Sequence, residues 1–112
     1  IVNYVLHWVS REEFFRALAE IDRLVRPGGH LIIGDFGPDY PTRKPYHHAK
    51  KGSMYTWKVD YERIFVNTAL YRTVSRITFD HTTQKLQPFI SGAERGTCML
   101  LEKTPEGFFA VE

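Results

Sequence analysis

Along this chain the spacing of apolar positions changes segment by segment, and each spacing predicts an element. Ile1 to Leu6 is a short apolar run with β-branched and aromatic members, the composition of a strand, and Trp8 and Val9 close it. From Phe14 the period lengthens. Phe14, Leu18, Ile21 and Val25 recur at four, three and four residues, with Ala17 and Leu24 beside them and Arg16, Glu20 and Arg23 opposite, which makes one apolar stripe of an amphipathic helix. Ser10 followed three residues later by Glu13 has the spacing of a capping box. Arg26 suits a helix C-terminus, Pro27 cannot continue the ladder, and Gly28 or Gly29 can take the left-handed capping position, so the helix stops at about Arg26. His30 to Phe36 then places Leu31, Ile32 and Ile33 in a row, as in a parallel strand covered on both faces. Strand, helix and strand make a right-handed βαβ unit, and Asp35 and Phe36 fall at the carboxyl end where open α/β sheets place ligands.

The second half is more broken. Pro38, Pro41 and Pro45 with Gly37 and Gly52 predict a long irregular loop from Gly37 to Ser53. From Thr56 a helical period returns, with Trp57, Tyr61, Ile64, Phe65 and Thr68 on one side and Lys58, Glu62 and Arg63 on the other, ending near Leu70. Thr73 to Asp80 alternates as an edge strand does, His81 to Gly96 reads as a second polar loop, and Thr97 to Glu102 is a continuous apolar run suited to a central strand. Pro105, Glu106 and Gly107 turn into a short apolar tail.

Composition narrows the classes. The 112 residues are 43% hydrophobic and 14% aromatic, sized for one domain. A net charge of +2 from 15 basic and 13 acidic side chains is too balanced to imply a nucleic acid or an anionic membrane as partner. Cys98 is the single cysteine and cannot form an internal disulfide; its neighbours Met99, Leu100 and Leu101 predict a buried thiol and a reducing, cytoplasmic setting. No run approaches the roughly 20 apolar residues of a membrane span. Ile1 and Val2 read as the interior of a strand, so the expectation is a partial domain over residues 1 to 112 whose fold begins upstream.

Several residues can carry chemistry. By pattern alone Leu6 and Trp8 serve to pack the end of the first strand. Asp35 is either a site residue or the cap of the following turn. Between Tyr40 and Val59 there is no acidic residue, while Arg43, Lys44, Lys50, Lys51 and Lys58 alternate with Tyr40, Tyr46, Tyr55 and Trp57. Such a stretch can grip an anionic substrate or stack on nucleobases; a solvated loop accounts for it more simply. His47 and His48 are adjacent, and in an extended loop they point apart with no Cys or carboxylate at ligand spacing, so no metal site is expected. Gly28 and Gly29 end a helix and open a strand, the reverse of a phosphate cradle.

Taken together, Asn3-Tyr4-Val5-Leu6-His7-Trp8, the helix with Leu18-Ala19-Glu20-Ile21-Asp22-Arg23-Leu24, then Arg26-Pro27-Gly28-Gly29 and Leu31-Ile32-Ile33-Gly34-Asp35-Phe36 resemble class I S-adenosylmethionine-dependent methyltransferases. The match is to the family's fourth strand, the helix after it and the fifth strand, and it extends less tightly to residue 102, with Leu70-Tyr71 where a Gly-Phe turn is common. The resemblance implies the C-terminal half of a Rossmann-like α/β fold, a mixed sheet of about four strands with two main helices. The implied order is the Ile1, Leu31, Thr97 and Thr73 strands, with the Thr97 strand antiparallel to the others. It also implies S-adenosylmethionine as cofactor, with Asn3, Tyr4, Leu6, His7 and Trp8 at its methionine end and His7 as the catalytic base. Asp35, Tyr46, His47, His48 and Tyr55 then contact a small-molecule acceptor. The family's glycine loop and ribose-binding acid would precede Ile1, so methyl transfer belongs to the parent protein and this stretch alone is expected to be inactive. The alternative is a non-catalytic module that binds nucleic acid or a protein through residues 40 to 58. No membrane partner is expected, and an open edge at residues 1 to 6 predicts a homodimer.

Overall fold

The computed structural model describes residues 1–50, 52–87, 89–104 and 106–112. Two helices, α1 (Phe14–Leu24) and α2 (Tyr61–Val66), pack on a four-stranded sheet of β1 (Val2–Asn3), β2 (His30–Phe36), β6 (Arg95–Lys103) and β5 (Tyr71–Asp80), in that order across the sheet. A separate ribbon pairs β3 (Thr42–Pro45) with β4 (Tyr55–Lys58). β1 runs parallel to β2, and β6 is antiparallel to both β2 and β5, which is the order and polarity the sequence implies. This mixed α/β arrangement is compatible with part of a Rossmann-like fold.

The first strand is shorter than expected. Tyr4 takes a left-handed φ of 52° and donates its N–H to the Gly34 carbonyl at 2.6 Å, so the chain leaves the sheet after Asn3 and winds into one 3-10 turn at Leu6–Trp8. The edge left open on β1 is therefore two residues long. Ahead of α1, Ser10 accepts from the Glu13 N–H through its side chain at 3.4 Å and its carbonyl at 3.2 Å. The reciprocal arm of the capping box does not form, because the Glu13 carboxylate pairs with Arg16 at 3.2 Å. Gly28 is the residue that turns left-handed after the helix, at φ 77°, and its N–H reaches the Lys103 carbonyl at 2.8 Å.

The core lies on one face of the sheet. Leu31, Ile33, Met99 and Leu101 point toward Phe14 of α1 and toward Tyr61 and Phe65 of α2, and all are buried. Each such side chain contributes roughly 1.5–3 kcal/mol on leaving water. The expectation of a β2 covered on both faces holds only toward its carboxyl end: both helices sit on one side, and on the other Gly34 and Phe36 are buried while Ile32 is half-buried and Cys98, expected to be buried, is exposed beside Ile77.

The stretch from Gly37 to Lys58 also differs from its reading. In place of one irregular loop running into a helix from Thr56, Thr42–Pro45 pairs antiparallel with Tyr55–Lys58, and the helix is only Tyr61–Val66. Tyr55-Thr56-Trp57-Lys58 has a period of two as well as apolar positions that fit a helix, and the pairing with β3 decides between them. Pro45 is tolerated because it ends the ribbon, which has no third strand to need its missing N–H. Thr68 closes α2 by donating to the Phe65 carbonyl at 2.6 Å, and Ala69 makes the turn at φ 60° that a glycine would make without strain. β5 starts two residues earlier than expected, at Tyr71, and is bulged between Thr73 and Ser75.

Candidate functional site

The carboxyl ends of β1 and β2 meet at a buried pair. Asp35 is fully buried, and its Oδ1 lies 2.9 Å from His7 Nδ1 and accepts the Phe36 N–H at 2.8 Å. Its Oδ2 lies 3.3 Å from the His7 backbone N–H. The early exit of the chain at Tyr4 makes this possible, because it lays the 3-10 turn across the end of β2. Arg11 fastens the turn from the other side, donating to the carbonyls of Leu6 at 3.1 Å and Val9 at 2.6 Å with its guanidinium 4.1 Å from the Phe14 ring centre. A carboxylate at Asp35 favours, for a neutral imidazole, the tautomer with the proton on Nδ1, which leaves Nε2 as that ring's acceptor.

His7 lines a cleft of about 480 Å³ between this turn and the ribbon. Tyr4, His7 and Phe36 form one wall, their rings meeting edge to face at 5.1–6.0 Å. Trp8 stands at the mouth against Tyr46, ring centres 4.9 Å apart, and His81 meets Phe36 edge to face at 4.8 Å with its Nδ1 3.1 Å from the Tyr4 hydroxyl. Burial, then the negative charges of Asp35 and Cys98, push the Tyr4 hydroxyl above its ordinary value. Lys58 is buried at 8% exposure, its Nζ 3.6 Å from the Phe36 ring centre. Burial, and next the charge of Lys44, hold its ammonium below the ordinary lysine value, with Glu94 and Asp35 acting the other way.

The cleft thus gathers Tyr4, His7, Trp8, Tyr46 and His47 from the residues the resemblance implies. Leu6 is 1% exposed in the core, and Asn3 lies against Gly34 rather than in the cleft. Asp35 does not reach the cleft surface; it holds His7. His47 and His48 do not point apart: a turn with the Ala49 N–H on the Tyr46 carbonyl at 3.2 Å brings their rings to 3.9 Å, both facing Tyr46. Among the described residues no three His, Cys, Asp or Glu side chains gather closely enough to hold a metal. Tyr55 and Trp57 occupy the opposite face of β4, where Arg43 lies 4.6 Å from the Tyr55 ring and Arg11 5.4 Å from Trp57, so the protein's own guanidiniums cover the rings that would stack on bases. Lys50 is placed outside the cleft, and Lys51 lies outside the described residues.

Phe36, at the carboxyl end of β2, and Lys58, from the basic stretch able to grip an anionic substrate, line the cleft as well, together with His81 and Glu94, which the sequence did not nominate. The alternation of Tyr55-Thr56-Trp57-Lys58 carries a signal for Lys58 once the segment is taken as a strand, because it separates Thr56 and Lys58 from the aromatic face. Nothing local marks His81 or Glu94, which arrive from a polar loop.

A family model described as a methyltransferase domain matches residues 1–33, which are β1, the 3-10 turn, α1 and most of β2. The resemblance to class I S-adenosylmethionine-dependent methyltransferases, carried by the same residues, is borne out over that segment. No curated protein and no solved structure matches the chain significantly. Among the described residues no helix is long and apolar enough to cross a membrane.

Proposed function

We propose that this chain supplies the acceptor side of an S-adenosylmethionine-dependent methyltransferase, acting on a small molecule. One observation carries the reading: the segment that matches the methyltransferase domain ends its strands at the His7–Asp35 pair, on the wall of an aromatic cleft. The sulfonium of the cofactor carries its own leaving group, so the protein has to align methyl and acceptor, exclude water and, where the acceptor holds a proton, remove it. Tyr4 and Trp8 present faces suited to a sulfonium, and the Nε2 of His7 takes the proton while Asp35 fixes the ring. Asn3 and Leu6 contribute through the backbone that shapes the turn. The glycine loop and ribose-binding acid that this family uses have no counterpart among these 112 residues, so the proposal places them in a preceding half of the same domain.

The intact protein should transfer the methyl group of radiolabelled S-adenosylmethionine, and His7→Asn should lower kcat by about 10²–10⁴-fold. The 112-residue chain alone should show no saturable binding of S-adenosylhomocysteine by calorimetry. Failure of the intact protein to bind S-adenosylhomocysteine overturns the reading, and micromolar binding by the chain alone overturns the division between two halves.

A further inference from the structure

Lys58 is an ammonium at 8% exposure with one protein acceptor, the Ala93 carbonyl at 3.2 Å. Among the described residues no carboxylate lies within 4.0 Å of it or of Lys44. Glu94 is the one carboxylate on the cleft wall, and its Oε2 accepts the Thr82 hydroxyl at 2.8 Å. A buried cation is ordinarily paired with a carboxylate, because leaving water is costly for a charge, and the Ala93 carbonyl together with the face of Phe36 offsets only part of that cost. Lys58 nonetheless faces the cleft, from the face of the ribbon that Lys44 shares: Lys58 pairs with Thr42 and Lys44 with Thr56, which sets the two lysines diagonally across one side of two strands.

We infer that Lys58 and Lys44 form an anion subsite that binds the carboxylate of a flat, unsaturated acceptor, whose ring lies along Phe36 and Trp8. The inference rests on the cleft being the acceptor pocket of a methyltransferase, and adds the substrate class. A cleft of about 480 Å³ holds a ligand of this size. Two free N–H donors on Lys58 match the two oxygens of a carboxylate, and the aromatic walls match a ring. No cofactor is needed for this contact, so it can be measured apart from methyl transfer.

Benzoate and its neutral isostere benzamide, titrated into the chain and followed by NMR on the imidazoles of His7 and His81, separate charge recognition from ring packing. Benzoate should shift both imidazoles saturably and bind about tenfold or more tighter than benzamide, since a hydrogen bond to a charged group is worth at least that factor. Lys58→Met keeps the apolar stem and should abolish the preference, leaving benzamide binding unchanged; Lys44→Gln, on an exposed strand position, should reduce it about threefold. Should Lys58→Met fail to fold, Lys58→Gln, which removes the charge and keeps an N–H donor for the Ala93 carbonyl, gives the same comparison. Equal binding of benzoate and benzamide, a benzoate affinity indifferent to Lys58→Met, or inorganic phosphate binding tighter than benzoate overturns the inference. Benzoate binding by a protein that transfers no methyl group would instead overturn the proposed function and leave the subsite standing.

Discussion

The two walls of the cleft are built on different physical terms. On one side Asp35 is fully buried and His7 is 3% exposed, joined by a ring-to-carboxylate bond, with the backbone N–H groups of His7 and Phe36 on the same carboxylate. On the other side stands a two-stranded ribbon, whose Lys44 and His47 are exposed and which meets the rest of the molecule mainly through the 3-10 turn of Leu6–Trp8. A lone two-stranded ribbon is marginal by itself and depends on what it packs against. The difference is one of anchoring: the His7–Asp35 pair is buried and tied by hydrogen bonds from both neighbouring segments, whereas the ribbon rests on the core mainly through one turn, so under the proposed function proton transfer falls to the tightly held wall and substrate recognition to the wall that can adjust.

The largest test of that division is Asp35→Ala. It strips the partners from His7 and the Phe36 N–H in a buried site, and should lower stability to urea unfolding by about 3 kcal/mol. A loss below about 1 kcal/mol would mean that the pair is not the rigid wall described. Next comes the junction of the walls. Tyr61 of α2, 1% exposed, donates its hydroxyl to the Trp57 carbonyl of β4, and burial pushes its pKa up to about 12, with Arg11 opposing and Asp35 reinforcing. Its folded value exceeds the ordinary tyrosine value of 10.0, so between the two the folded protein retains a proton that the unfolded chain has lost. The contribution is complete below pH 10.0 and is lost as pH rises from there toward about 12. Tyr61→Phe should lower neutral-pH stability by about 1–2 kcal/mol and flatten the alkaline limb of the stability curve; an unchanged limb would remove Tyr61 as its source. The smallest effect belongs to the ribbon alone. Tyr46→Ala removes the edge contact with Trp8 and should cost about 1 kcal/mol or less in global stability while accelerating amide exchange in β3 and β4. Equal acceleration in β2 would show the walls to be coupled.

The same contrast explains what could be read from residues. β2 was legible to its end residues because Leu31, Ile32 and Ile33 follow a break at Pro27 to Gly29 and run to an acidic stop, whereas of β6 only the interior, Thr97 to Glu102, was legible, and the strand extends from Arg95 to Lys103. Their order in the sheet followed from the resemblance. The ribbon was not legible: three prolines and scattered lysines look like a loop, and only the pairing of Arg43 with Trp57 and Lys44 with Thr56 turns the segment into strands. The second face of the sheet was misjudged because an apolar triplet cannot tell which side a helix will cover; Cys98 and Ile77 lie on the side left open. Of the site, His7 and Trp8 were within reach of a motif, whereas the contact between His7 and Asp35 spans 28 residues and depends on Tyr4 leaving the sheet at a positive φ, which no local pattern announces. His81, reaching Tyr4 across 77 residues, is further still from local inference.

Because β6 lies between β2 and β5, the sheet cannot be assembled in the order in which it is synthesised. β2 must wait with one edge unpaired until Glu102 arrives opposite His30, while β5 waits for the same strand from the other side. Closing β5 onto β6 spans a short loop and is fast; docking that hairpin onto β2 closes a much longer one and sets the pace. A nascent chain that has not yet produced residues 95–103 therefore holds β1, α1 and β2 with no strand between them and β5, and a stop codon between residues 81 and 95 leaves β5 without its only sheet partner among the described residues instead of merely shortening the tail.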